Sequence, residues 1–124
     1  ARRVRLVGYS GGGVIAALIA ERRDDVETLV TVAAPLALDD WIALHDLSPL
    51  EQAHDPLEAR GSLPAQALHF AGARDEVVPP RIGERFVRRR GGRLEVIADF
   101  DHDCCWARDW AALLRRAGIG ERTP

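Results

Sequence analysis

The sequence predicts an α/β fold, a parallel β-sheet with flanking helices. Two observations carry that expectation. Four short apolar runs of strand character, residues 4–8, 28–33, 67–71 and 93–98, alternate with helical or looped stretches, and such alternation favours parallel strands joined by crossovers. The second run, Thr28-Leu29-Val30-Thr31-Val32-Ala33, is apolar almost throughout, as expected of a strand buried on both faces of a parallel sheet.

Each element follows in order. The first strand, Val4-Arg5-Leu6-Val7-Gly8, breaks at Tyr9-Ser10-Gly11 and continues at once as a helix over residues 12–23. Val14, Ile15, Leu18 and Ile19 form the wide apolar face expected to pack, and Glu21-Arg22-Arg23-Asp24-Asp25 marks the polar end. After the second strand, residues 35–64 form a connection rich in Asp, Pro and His that contains Trp41-Ile42-Ala43-Leu44. A helix over residues 80–90 carries Ile82 and Phe86 four apart and stops at Gly91-Gly92. The last helix is expected over residues 104–117, with Trp106, Trp110, Leu113 and Leu114 on one face and Gly118 as its stop. No internal repeat, low-complexity tract or second domain interrupts residues 1–124, which read as one domain.

Composition narrows the class. With 124 residues, 47% of them hydrophobic, and a formal net charge of −2, the chain reads as one soluble globular unit without strong attraction to nucleic acid or an anionic membrane. No apolar run is long enough to span a bilayer, and no signal-peptide pattern is visible. The chain opens on Ala1-Arg2-Arg3 and contains no methionine, which suggests that an upstream part precedes it and leaves the compartment open. All 17 basic residues are arginine, a bias that fits a GC-rich genome and points to no partner.

The break after the first strand carries the chemistry. Gly8, Ser10 and Gly12 have G-x-S-x-G spacing, and a turn this tight is expected to exclude side chains at Gly8 and Gly12, which would meet adjacent backbone. The turn lifts the Ser10 hydroxyl clear of the sheet at a helix N-terminus, where main-chain N–H groups and the helix dipole favour developing negative charge. After the third strand, Gly72-Ala73-Arg74-Asp75 places an acid in the loop; after the fourth, Asp99-Phe100-Asp101-His102 places a histidine. Serine, acid and histidine in that order, each beyond a strand end, make the chain resemble the α/β-hydrolase superfamily.

The resemblance implies a partial α/β-hydrolase fold, its last four strands, in an esterase- or lipase-like serine hydrolase. Ser10 would be the nucleophile, His102 the general base, Asp75 its orienting acid and the Gly11 N–H one oxyanion donor. A second donor would come from an upstream loop. Residues 36–64 would form a short cap over an open site, with Tyr9, Leu36, Leu38 and Trp41 as pocket walls. The expected substrate is a small-molecule carboxylic ester or thioester, with no cofactor and no metal. The first strand would expose an apolar edge, so the upstream half of the fold or a second copy is the expected partner.

Other readings stand beside this one. Gly11-x-Gly13-x-x-Ala16 loosely fits a dinucleotide fingerprint, but the next strand ends in Ala33-Ala34-Pro35 without a ribose-binding acid. A Walker loop is excluded because the chain has no lysine. Asp75 also suits a simple turn beside Gly72 and Pro79. His69 lies inside an apolar strand and reads as a core residue; His45 and His54 read as surface or cap residues. Asp101-His102-Asp103-Cys104-Cys105 lacks a second ligand pair at metal spacing, and Cys104 and Cys105 read as two thiols near a helix start. A non-catalytic module that keeps the motifs is the alternative from a different class.

Overall fold

The computed structural model describes residues 3–48 and 54–118. Within them the order is β1 (Val4–Tyr9), α1 (Gly11–Arg22), β2 (Val26–Val32), α2 (Leu38–Leu44), β3 (Gln66–Gly72), α3 (Pro80–Arg90), β4 (Arg93–Ile97) and α4 (Trp110–Arg116). The strands form one sheet in the order β1-β2-β3-β4, every pair parallel. Parallel register brings the C-terminal ends of all four strands to one rim, where the loops holding Ser10, Asp75 and His102 also begin.

The inner strands are buried on both faces, as their continuous apolar runs predict. Leu29 and Ala67 join a core beneath α1 and α3 that includes Ala17, Ile82 and Phe86. Val30, Val32, Leu68 and Phe70 face the opposite side, where Phe100, Trp106 and Leu113 cover them. Alternation along each strand thus feeds two separate cores.

Helix α1 packs through a different face from the one its hydrophobic pattern predicts. Gly13, Ala16, Ala17 and Ala20 are buried, whereas Ile15 is 60% and Ile19 41% exposed. Close approach is the reason. A Cβ on Gly13 would lie 2.5 Å from the Ala34 Cβ, so the helix touches the sheet through its smallest side chains and the isoleucines point away.

The last helix is also shorter than predicted. Residues 104–109 form successive turns and α4 begins at Trp110. The turns place the Trp106 indole edge-on to Phe100, with ring centroids 4.7 Å apart.

The connection after β2 folds back on itself. No side chain caps α2 from its own N-terminal residue; instead the Asp55 carboxylate accepts the amides of Leu38 at 2.9 Å and Asp39 at 3.1 Å. Farther along, Arg90 at the end of α3 pairs with Glu21 of α1 at 3.5 Å, both side chains largely buried, and donates to the carbonyls of Pro56 and Gly61. Charge-assisted bonds therefore hold both margins of the connection.

Candidate active site

Strand β1 delivers Ser10 in a backbone conformation few residues adopt, φ 52° and ψ −124°. Such strained positions cluster at functional sites. Glycine at position 8 makes the turn possible, since a Cβ there would collide with the Gly12 carbonyl and the Gly13 Cα. Gly12 itself has nothing within 4 Å of an added Cβ, contrary to the sequence expectation. The second steric demand lies at Gly13, which faces Ala34, the Gly8 carbonyl and Thr31. Gly11 opens α1, and its amide belongs to the first turn, whose N–H groups have no partner within the helix.

Two loops bring the remaining groups to Ser10. The Asp75 loop and the His102 loop are stitched together: Ala73 N–H donates to Ile97 O at 2.9 Å and Arg74 N–H to Phe100 O at 2.9 Å. Gly72 permits this contact, because a Cβ there would strike the Phe100 carbonyl. One oxygen of buried Asp75 accepts the amides of Val77 and Val78 at 2.8 and 2.7 Å, leaving the other to face His102.

The result is a continuous hydrogen-bonded chain. His102 Nδ1 lies 2.9 Å from Asp75 Oδ2, and His102 Nε2 lies 3.1 Å from Ser10 Oγ. An ionised carboxylate only accepts, so Nδ1 carries the hydrogen and donates it, while Nε2 accepts from the Ser10 hydroxyl. The Asp75 side chain is fully buried and that of His102 is 16% exposed.

Around this chain the His102 loop is held from several directions. Asp101 Oδ1 accepts the amides of Asp103 at 2.9 Å and Cys104 at 2.7 Å, and these bonds hold the Asp101 carboxyl below its usual range. The Tyr9 hydroxyl donates to His102 O at 2.6 Å, with Asp103 Oδ1 at 3.3 Å. Trp106 Nε1–H reaches the same carbonyl at 3.1 Å. No local pattern could have linked Tyr9 to this loop, which is 93 residues away in sequence.

The proposed wall residues scatter. Leu36 is buried in the core beneath α1 and α3, and Leu38 is nearly as buried, so the expectation that they line an open pocket is corrected. Both belong to the packed base of the connection. Trp41 donates its indole N–H to Val77 O at 2.7 Å, and His45 Nε2 lies against the same carbonyl, tying α2 to the Asp75 loop. Tyr9 is 45% exposed and borders an apolar groove of about 500 Å³ with Val7, Val32, Trp106 and Trp110. Among the described residues no group of three or more His, Cys, Asp or Glu could hold a metal ion, and no described helix is long and apolar enough to cross a membrane.

Sheet order, strand direction and the placement of the loops define a class: the chain has part of the α/β-hydrolase fold. Solved structures place it there directly. It is similar to the alpha/beta hydrolase domain-containing protein 10 from mouse (TM-score 0.73, 19% identity, covering 95% of this chain and 61% of that one). It is also similar to an esterase from Pyrococcus furiosus (TM-score 0.70, 19% identity, 95% and 52%). An α/β hydrolase enzyme from a Mar Chica lagoon-sediment metagenome aligns with TM-score 0.66 at 20% identity over 93% of this chain and 60% of that one. The chain thus spans about half to three-fifths of these structures. No family model and no curated protein sequence matches it.

Proposed function

We propose that this chain carries the reactive centre of a serine hydrolase acting on carboxylic esters or thioesters. The observation that carries the reading is the unbroken pair of hydrogen bonds from Ser10 Oγ through His102 to Asp75. His102 Nε2 takes the hydroxyl proton as Oγ attacks the acyl carbon; the Asp75 anion supports the imidazolium that forms. The Gly11 amide meets the developing oxyanion. His102 then protonates the departing alcohol or thiol, and a water molecule, deprotonated by the same nitrogen, releases the acid from Ser10. Ester and thioester carbonyls suit this centre because alkoxide and thiolate are weaker bases than an amide anion and depart more readily from the tetrahedral intermediate. The name of the Pyrococcus furiosus neighbour, an esterase, agrees with that class.

On this reading residues 36–64 act as a short cap, and the outer edge of β1 is covered by another strand, from a longer chain or from a second copy.

Labelling with a fluorophosphonate and hydrolysis of p-nitrophenyl acetate test the proposal. Ser10→Ala is expected to abolish labelling, and Ser10→Ala and His102→Ala are each expected to lower Ser10-dependent turnover by roughly 10⁴-fold or more. A folded chain that is neither labelled nor active would move the reading to a non-catalytic module of the same fold.

A further inference from the structure

Two bonds, rather than one, join the Ser10 turn to His102. Ser10 Oγ meets the imidazole at 3.1 Å, and the neighbouring Tyr9 hydroxyl meets the His102 carbonyl at 2.6 Å. The Cα atoms of Tyr9 and Ser10 are fixed about 3.8 Å apart by their peptide. Two adjacent residues thus grip both the ring and the backbone of one histidine. The other restraints refer the loop elsewhere: Asp101 fixes its internal turn, and Trp106 anchors it to the core on the α4 side.

We propose that Tyr9 is a positioning residue whose hydroxyl, bonded to the His102 carbonyl, holds the histidine loop in register with Ser10. The proposal deepens the serine-hydrolase reading and rests on it. A tyrosine suits the task because its ring reaches far with only two side-chain torsions to fix. The ring lies 5.5 Å from the imidazole, centroid to centroid, so the phenol braces the histidine from its side while the hydroxyl holds its backbone. Partial burial and the nearby Asp103 carboxylate raise the phenol above its ordinary range, which keeps it a donor.

The competing role is a wall of the substrate pocket, and Tyr9→Phe separates the two because it keeps the ring and removes only the bond. Steady-state hydrolysis of p-nitrophenyl acetate is to be measured for the unaltered chain, Tyr9→Phe, Ser10→Ala and Ile19→Ala, the last changing an exposed side chain of α1 that borders neither the groove nor the loop. The imidazole ¹⁵N–¹H spectrum is recorded in parallel and needs no turnover. The expected result is a kcat about five- to tenfold lower in Tyr9→Phe, with KM unchanged, a weakened His102 Nδ1–H signal, and no effect of Ile19→Ala. Unchanged kcat with an unchanged spectrum overturns the proposal, as does a raised KM with kcat intact, which assigns Tyr9 to the pocket. Should turnover prove independent of Ser10, the hydrolase reading falls by itself; the spectrum then decides, a weakened signal supporting the tether and an unchanged one overturning it.

Discussion

Burial sets the chemistry of His69. Its Nδ1 pairs with Thr31 Oγ1 at 2.7 Å, while Nε2 has no partner among the described residues; Phe86 stands edge-on to its ring at 5.2 Å. Desolvation disfavours the imidazolium and pushes its pKa down to about 4 from 6.5. The folded chain therefore binds this proton less readily than the unfolded chain. Stability from neutral His69 is fully present above about pH 6.5 and is lost as pH falls toward 4, by up to about 3 kcal/mol. Urea unfolding at a series of pH values should show that decline, and His69→Leu should flatten it. A slope identical in both proteins would mean that carboxylates alone govern acid sensitivity. The sequence reading placed His69 in the core; it could not show that one nitrogen lacks a partner, because that depends on how α3 closes over β3.

At the scale of the element, the β1–α1 turn divides its glycines by what each must avoid. Gly8→Ala drives a methyl into the Gly12 carbonyl and the Gly13 Cα and should cost about 2–3 kcal/mol in urea melts. Gly12→Ala meets nothing and should be neutral or stabilising by about 0.5–1 kcal/mol, since alanine restricts the unfolded chain. Equal losses at the two sites would sink this account. The motif spacing located the turn and the steric demand at Gly8 correctly but put the second demand at Gly12 instead of Gly13, whose contacts come largely from Thr31 and Ala34. The four strands and α3 were legible because their apolar periods and glycine stops are local. The packed face of α1 was not: its isoleucines carry the hydrophobicity, but distance to the sheet selects alanines. The turns before α4 escaped for a similar reason, since tertiary contacts of Trp106 and the bonds of Asp101 replace helical ones there. The meeting of Ser10, Asp75 and His102 beyond the strand ends was legible from their order in the sequence, whereas the Tyr9 and Trp106 contacts with His102 arise only on folding.

For the molecule as a whole, the sheet formed by the described residues has β1 at one edge, with Val7 and Tyr9 each 45% exposed. An edge with unpaired backbone groups and apolar side chains invites another strand. Sedimentation velocity on this chain should show association that rises with concentration, and Val7→Lys should weaken it by placing a charge on that edge. A single monomeric species at every concentration would refute the expectation. Asp55 has a different long-range effect. By gripping the amides of Leu38 and Asp39, it ties the start of α2 to a residue 17 positions further along the chain. Lengthening a closed loop adds little entropy, about 0.6 kcal/mol for each doubling. On the reading proposed above, new sequence inserted beyond His45, where Trp41 and His45 still hold the Asp75 loop, would alter what reaches Ser10 while Ser10, Asp75 and His102 keep their spacing.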